Sequence, residues 1–141
     1  MKYKTKHGEL DFWDPYPSLN KFKKIGINLS GGADSALVMF MTCREIVERN
    51  LDTTIVPITG VDERRPTNIW NAREIVDLFK ELFPKVKFYE HQVNHYQKSH
   101  EKDKVNHHRA HEDRLRKEGI IDVLFHGRSA NPPEDVAKEN N

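Results

Sequence analysis

Apolar residues recur along the chain in short runs that alternate with longer stretches of helical spacing. Four of these runs predict strands, at residues 25–29, 53–59, 85–93 and 120–126. After each of the first two runs, apolar side chains follow three or four residues apart, which predicts helices over 34–50 and 66–83. Strands that alternate with helices of this length predict βαβ units and a parallel sheet of about four to five strands.

The predicted fold class is therefore α/β, with a doubly wound, Rossmann-like parallel sheet. Right-handed crossovers would place helices on both faces of the sheet. Ligands of such sheets bind at the carboxyl ends of the strands. Three polar stretches follow predicted strands at that edge: 30–35, 60–65 and 127–131. A ligand site is expected among them.

The segment before the first predicted strand has no periodic pattern. Two prolines oppose regular pairing, so residues 1–20 are expected to form an irregular N-terminal clasp. Its aromatic residues Trp13 and Tyr16 are expected to pack on the domain. The domain itself is expected to span 21–141.

The segment 94–118 differs from the rest because it is almost entirely polar. Its clearly apolar residues are Val105, Ala110 and Leu115. A helix there would have almost no face to bury. We therefore expect this segment to be exposed, mobile or covered by something outside this chain.

Three of the eight histidines, His107, His108 and His111, lie close together in that segment. On a helix, His107 and His111 would share a face at a spacing that can chelate a metal. Because the H-E-x-x-H pattern is missing, a polar surface helix of mixed charge is the favoured reading. Basic and acidic residues nearly balance there, so a nucleic-acid interface has no support from the sequence.

The composition limits the functional classes to which the protein can belong. The 23 Lys and Arg residues against 22 Asp and Glu residues give a net charge of +1, unlike the strongly basic balance of a nucleic-acid binder. Charged residues make up 32% of the chain and hydrophobic ones 36%, which indicates a partly ordered segment or a part of a larger protein. No apolar signal segment opens the chain and no run approaches ~20 apolar residues, so we expect a cytoplasmic protein without a membrane span.

The chain has a single cysteine, Cys43. One cysteine excludes a disulfide within the chain and a zinc site built from cysteines. Because Cys43 falls on the apolar face of the first predicted helix, a core position is favoured over a role as nucleophile.

The stretch that carries chemistry is the glycine loop, residues 30–35, which joins the first predicted strand to the first helix. Its residues are Ser30, Gly31, Gly32, Ala33, Asp34 and Ser35. Two glycines let the backbone approach a ligand, and the following helix N-terminus favours an anion such as phosphate. Without a lysine the loop is not the usual P-loop. The carboxylate of Asp34 is compatible with a nearby phosphate if Mg²⁺ lies between them. Alternatively, Asp34 caps the helix through its side chain. A capped turn without any ligand is the alternative.

S-G-G-x-D-S between a strand and a helix resembles the signature of the PP-loop ATP pyrophosphatases, which have the adenine nucleotide alpha hydrolase-like fold. All fixed positions match, and the order of elements agrees over 25–128. The resemblance implies ATP and Mg²⁺ as cofactors, with the loop on the β- and γ-phosphates and Asp34 at the metal or the cap. It also implies cleavage of ATP between the α- and β-phosphates, with pyrophosphate as leaving group. An adenylated acceptor would then pass to a nitrogen or sulfur nucleophile.

Two further stretches are similar to the 7-cyano-7-deazaguanine synthase branch of that family. One is Gly-Val-Asp-Glu-Arg-Arg after the second strand, which offers Arg64 or Arg65. The other is His126, Gly127 and Arg128, with Asn131 after them. In this likeness Arg128 would be catalytic, as a bidentate donor to phosphate or to a substrate carboxylate. An ordinary surface arginine is the alternative.

The chain also departs from the family. It has neither the cysteine cluster of the deazaguanine synthases nor the catalytic cysteine of the sulfonucleotide reductases. The family's substrate-binding half is expected to be missing. Three hypotheses follow. The first is an adenylating enzyme with a small-molecule or nucleotide acceptor, for which a sulfonucleotide-reductase-like member is an alternative. The second is a nucleotide-binding module without turnover, and the third is an interaction domain that binds no nucleotide. For the first two hypotheses a partner subunit or a second copy of the chain is a candidate for completing the site.

Overall fold

Strands and helices alternate through most of the computed structural model, which describes residues 2–63, 66–96 and 104–127. The strands are β1 (Tyr3–Thr5), β2 (Gly8–Leu10), β3 (Lys24–Asn28), β4 (Thr54–Asp62), β5 (Lys87–Phe88), β6 (Gln92–Tyr96) and β7 (Val123–His126). The helices are α1 (Ala33–Glu48), α2 (Thr67–Leu82) and α3 (Lys104–Lys117). A short 3₁₀ helix, Pro17–Lys21, precedes β3.

Five strands form one parallel sheet in the order β5-β4-β3-β7, with β6 also paired to β4. β5 and β6 lie one after the other along the same side of β4, where Thr54 pairs with Lys87 and Ile58 with Gln92. The single run predicted over 85–93 is therefore two short strands. β4 continues through Pro57, which pairs with Ile27 of β3. The predicted fold class, a parallel α/β sheet of four to five strands, is confirmed.

The helices cover both faces of this sheet. On one face Ile25, Ile27 and Ile55 share a core with Met39 of α1 and Phe79 of α2. Side chains alternate between the faces of a strand, so the neighbouring residues of β4 point the other way.

On the opposite face Val56 and Ile58 pack with Leu115 of α3 and with Ile121. Because α1 and α2 lie on one face and α3 on the other, the sheet is doubly wound.

The winding reverses between β3 and β7. Open α/β sheets have a ligand-binding crevice at the carboxyl ends of the strands at such a point. The chain passes from β3 to β4 on one side, and later returns to place β7 on the other side of β3. At the mouth of the crevice Asn28 pairs with His126. This is the position where open α/β sheets bind ligands, and the glycine loop begins two residues after Asn28.

The N-terminal segment differs from the prediction in two ways. Residues 1–20 were expected to be irregular, yet β1 and β2 pair as an antiparallel hairpin whose turn is closed by Thr5 Oγ1 donating to the Gly8 carbonyl at 2.8 Å. Strands of three residues are too short to show a period. Of the two predicted clasp residues, Trp13 is fully buried and its Nε1 donates to Asn20 Oδ1 at 2.8 Å, whereas Tyr16 is 61% exposed.

Most described residues of α3 are exposed, as expected for the polar segment, but the expectation that its helix has almost no buried face is wrong. α3 buries His111, Glu112 and Leu115, while Ala110 is exposed. A mostly polar stripe therefore covers the second face of the sheet.

Cys43 is fully buried in the core of the first face, as predicted, and burial raises the pKa of its thiol to about 12. A thiol with that pKa stays protonated at neutral pH, so it does not act as a nucleophile. Within 2–63, 66–96 and 104–127, no helix has the length and apolar content that crossing a membrane requires.

Candidate functional site

The glycine loop leaves the carboxyl end of β3 and enters α1, which begins at Ala33. Two side-chain hydroxyl groups of the loop accept hydrogen bonds from the loop's own backbone N–H groups. The Ser30 N–H donates to Ser35 Oγ at 3.1 Å, and the Gly32 N–H donates to Ser30 Oγ at 3.3 Å. Ser35 is 3% exposed, so its hydroxyl lies inside the loop, whereas Ser30 is exposed. Of the two predicted phosphate-binding hydroxyls, Ser30 is the accessible one.

Gly31 is a glycine because the fold requires it. Its φ of +87° lies in the left-handed region, and a Cβ there would be 2.7 Å from the backbone oxygen of Asn68 in α2. The Asn68 side chain in turn donates from Nδ2 to the Gly60 carbonyl at 2.8 Å, at the carboxyl end of β4. The first turn of α2 thus fixes the glycine loop against the edge of the sheet.

Gly32 is a glycine that the fold does not require. Its φ of −95° and ψ of 175° suit any residue. Among the residues that the structure describes, a Cβ at this position would meet only Ser30 Oγ, at an ordinary contact distance of 3.4 Å. Gly32 is also the N-cap of α1, where serine, threonine, aspartate or asparagine is preferred over glycine. No other described residue fills the space that the missing side chain leaves outside the first turn of the helix.

Asp34 does not cap α1. The N-cap is Gly32, and Asp34 is the second residue of the helix, with an exposed side chain. The prediction that Asp34 caps the helix is therefore wrong. A carboxylate in the first turn still interacts favourably with the positive end of the helix dipole.

Gly127 follows β7 and touches the same turn of α1. A Cβ at Gly127 would lie 2.7 Å from Ser35 Cα and 2.8 Å from the Asp34 carbonyl oxygen. The end of β7 and the start of α1 are therefore in direct backbone contact. The predicted arginine donors Arg64, Arg65 and Arg128, together with Asn131, lie outside the described residues.

A second group of polar side chains lies at the same edge of the sheet, on the face that α3 covers. This polar cluster consists of Asn28, His108, Glu112 and His126. Asn28 Nδ2 lies 2.6 Å from His108 Nε2, 3.3 Å from Glu112 Oε1 and 3.4 Å from His126 Nδ1. Glu112 Oε1 is also 3.2 Å from His108 Nε2 and 3.8 Å from His126 Nε2.

The polar cluster was missed because its residues on α3 were assigned to a surface helix. His108, His111, Glu112 and Leu115 follow at i, i+3, i+4 and i+7, which is the spacing of a buried helical face. Three of these four side chains are polar, so hydropathy alone does not mark the face.

Two histidines near the site are neutral. Burial lowers the pKa of His111 from 6.5 to about 4, with smaller effects of Arg114 and His108. Burial also lowers the pKa of His91 to about 4, assisted by Arg73 and Lys80. His91 Nε2 lies 2.7 Å from Thr59 Oγ1, which itself donates to the Leu29 carbonyl just before the glycine loop.

No three His, Cys, Asp or Glu side chains are arranged to hold a metal ion within the parts of the chain that the structure describes. His107 is exposed and His111 is buried, so the i, i+4 pair considered from the sequence does not present a common accessible face. An ion at the glycine loop would therefore need ligands beyond Asp34, such as the oxygens of a phosphate.

No protein-family model and no curated protein matches this chain. The interpretation of the site therefore depends on its geometry and on the motif of the glycine loop.

Proposed function

We propose that this domain binds ATP·Mg²⁺ at the glycine loop and cleaves it between the α- and β-phosphates, transferring AMP to an acceptor and releasing pyrophosphate. The observation that carries the proposal is Gly32. Neither backbone strain nor packing against the described residues requires a glycine there. Glycine is acceptable at an N-cap but is not the most favoured residue there, and close approach of a ligand to the backbone is a physical reason to leave out the side chain.

The surroundings of Gly32 suit a polyphosphate. The first N–H groups of α1 have no partners within the helix, and the dipole adds positive potential at the same point. Ser30 adds an exposed hydroxyl beside them. The location supports the same ligand, because the loop borders the crevice between β3 and β7.

Asp34 supports the magnesium part of the proposal. Mg²⁺ is commonly held by one or two carboxylates together with phosphate oxygens and water. One exposed carboxylate next to a phosphate-binding turn fits that donor set. Bound there, Mg²⁺ would neutralise charge on the leaving pyrophosphate.

The loop would act mainly as a clamp on the leaving group. Phosphoryl-type transfer needs alignment and charge stabilisation more than covalent help from the protein. The Ser30 hydroxyl and the N–H groups of the first turn of α1 would hold the β- and γ-phosphates, which would leave the α-phosphorus facing the crevice. An acceptor oxygen would then attack from the crevice.

Binding of ATP is tested by calorimetry with Mg²⁺ on the wild type and on Gly32→Ala. The alanine methyl occupies the proposed phosphate position without straining the backbone. We expect a loss of stability of about 1 kcal/mol from the poorer N-cap and an affinity for ATP lowered about tenfold or more. A matched control is Ser18→Ala, a small change in the N-terminal segment. If Gly32→Ala binds ATP as tightly as the wild type, the proposed location is wrong.

Turnover is tested with ATP labelled at the α-phosphate, together with 7-carboxy-7-deazaguanine and ammonia as one acceptor pair. AMP and pyrophosphate as products support the adenylating enzyme, whereas ADP and phosphate contradict α–β cleavage. Tight ATP binding without AMP from any acceptor tested would instead support the nucleotide-binding module.

A further inference from the structure

β7 is the edge strand of the sheet, and no described strand pairs with its outer side. It stands last in the order β5-β4-β3-β7, and β3 is its one partner strand among the described residues. The edge of a sheet presents a row of backbone N–H and C=O groups that can pair with another strand. The outer edge of β7 is therefore a place where a further strand can be added.

A groove of about 620 Å³ runs along this outer edge. It is lined by all four residues of β7, by Val38 and Met41 of α1, and by residues of the N-terminal segment such as Tyr16. Phe125 packs against the core under α1 and Leu124 against the core under α3, so these two neighbours point to opposite faces of the sheet. A groove that touches both of them lies at the edge between the faces, which leaves the edge of β7 accessible.

The side chains of β7 do not protect this edge. Natural edge strands are commonly very short, or they carry lysine or proline, which prevents pairing with other chains. On the other side of the sheet β5 has two residues, one of which is Lys87, and β6 is mostly polar. The sequence of β7 is Val-Leu-Phe-His, without lysine or proline. The two sides of the sheet are thus built differently, and the β7 side suits a partner strand.

A second copy of β7 fits this edge. In an antiparallel pair around a two-fold axis at Leu124, Leu124 lies opposite its own copy and Val123 lies opposite Phe125. Apolar side chains then meet on both faces of the joined sheet. A shift by two residues, the smallest that keeps both faces, would put Leu124 opposite His126 or Asp122 instead. The pattern of the strand therefore favours the register centred on Leu124.

Charge complementarity favours the same partner and the same direction. Asp122 directly precedes β7 and His126 ends it, and both residues are exposed. Antiparallel self-pairing places each Asp122 opposite His126 of the other copy. In-register parallel pairing would instead place the two Asp122 carboxylates side by side. Opposite charges across a strand pair stabilise it, and like charges destabilise it.

We propose that this chain forms a symmetric dimer in which β7 pairs antiparallel with β7 of a second copy. The pairing joins the two five-stranded sheets into one continuous sheet. Because both copies use the same surface, the assembly closes at two copies. The carboxyl ends of the two β7 strands point in opposite directions, so each copy keeps its own glycine loop and crevice. The dimer does not rest on the proposed function.

The oligomeric state is tested by sedimentation equilibrium of the full chain over the micromolar range, where we expect a reversible dimer. Leu124→Lys places two lysines directly opposite each other at the edge. It should raise the dissociation constant of the dimer about tenfold or more. Leu78→Lys is the matched control, since Leu78 lies on α2 and is 49% exposed, and it should leave the dissociation constant unchanged.

The register is tested by oxidative cross-linking of variants with one added cysteine. The wild type gives the background, because Cys43 is fully buried. Directly opposite residues of an antiparallel pair have Cα atoms about 4.5–5.5 Å apart, which suits a disulfide. Leu124→Cys should therefore form a covalent dimer. His126→Cys should not, because it lies four residues from its own copy, roughly 13 Å along the strand.

Three results would overturn the proposal. They are a chain that stays monomeric, a dimer whose dissociation constant is the same in Leu124→Lys, and cross-linking of His126→Cys that equals that of Leu124→Cys. A monomer would leave the β7 edge to a strand of a different protein. If Leu124→Lys does not fold, Leu124→Cys tests the same contact, because a dimer that does not cross-link there also overturns the proposal.

Discussion

Gly127 lies so close to Ser35 that a Cβ on Gly127 would be 2.7 Å from the Ser35 Cα. Real Cβ atoms do not approach a backbone this closely, so the end of β7 and the first turn of α1 have room only for glycine at this contact. The contact connects the two strand ends at which the glycine loop and the polar cluster lie.

Replacement of Gly127 by alanine is expected to destabilise the fold by about 1–3 kcal/mol, because backbone rather than a flexible side chain must move. Urea denaturation followed by circular dichroism measures the change. Gly32→Ser is the matched control, since its Cβ has room among the described residues and serine is a preferred N-cap residue, so its stability should be unchanged. Equal stability of the two variants would contradict the contact described here.

Replacement of Gly31 by alanine should also destabilise the fold, for a different reason. The left-handed φ alone costs an L-residue about 1–2 kcal/mol, and the Cβ would also approach the Asn68 carbonyl oxygen to 2.7 Å. The loop should shift away from α2, and urea denaturation should show a loss of at least the strain energy. If Gly31→Ala were as stable as Gly32→Ala, the two glycines would not have the different roles assigned to them.

The sheet and its first two helices could be predicted because their burial is apolar and periodic. Ile25, Ile27 and Ile55 sit at alternating positions that face α1 and α2. The place of the glycine loop followed from the same pattern. The sequence could not predict that the fold requires glycine at Gly31 but not at Gly32. The difference depends on φ and on the position of a backbone carbonyl of α2.

α3 could not be predicted in the same way because its buried stripe is polar. His108, Glu112 and Asn28 satisfy part of one another's hydrogen bonding, and Asn28 is 80 residues away from His108 along the chain. A hydropathy scale predicts that each of these polar side chains is exposed to solvent. Only the fold brings Asn28 and His126 to the same edge.

Trp13 should be the main anchor of the N-terminal segment. It is fully buried, packs edge-on against Phe125 of β7 with ring centroids 6.4 Å apart, and donates to Asn20. Trp13→Ala should destabilise the fold by about 3–5 kcal/mol. The nearby Tyr16→Ala should change stability by less than about 0.5 kcal/mol, because Tyr16 is 61% exposed. Thermal denaturation of the two variants measures both changes in stability. Similar losses would contradict the assignment of Trp13 as the main anchor.

Stability should fall as the pH drops below 6.5, because His91 and His111 are neutral in the folded protein. Each has a folded-state pKa of about 4 against an ordinary value of 6.5. Between these values the unfolded chain binds more protons than the folded one, so the free energy of unfolding decreases as the pH falls and levels off below pH 4 for these groups.

Urea denaturation from pH 7.5 to pH 4.5 tests this dependence. His111→Gln should reduce the slope because one of the two groups is removed, while His7→Gln should leave it unchanged because His7 is exposed. A slope that stays the same in His111→Gln would mean that His111 is not buried in its neutral form.

Asp34 should affect ATP differently with and without magnesium. With Mg²⁺, Asp34→Asn should lower the affinity for ATP about tenfold or more, because the carboxylate that holds the ion is lost. Without Mg²⁺, the same variant should bind ATP as well as the wild type or better, since a negative charge beside the phosphates has been removed. Calorimetry with and without EDTA measures both, and Asp113→Asn, an exposed acid of α3, is the control. Equal losses under the two conditions would show that Asp34 supports the loop rather than the ion.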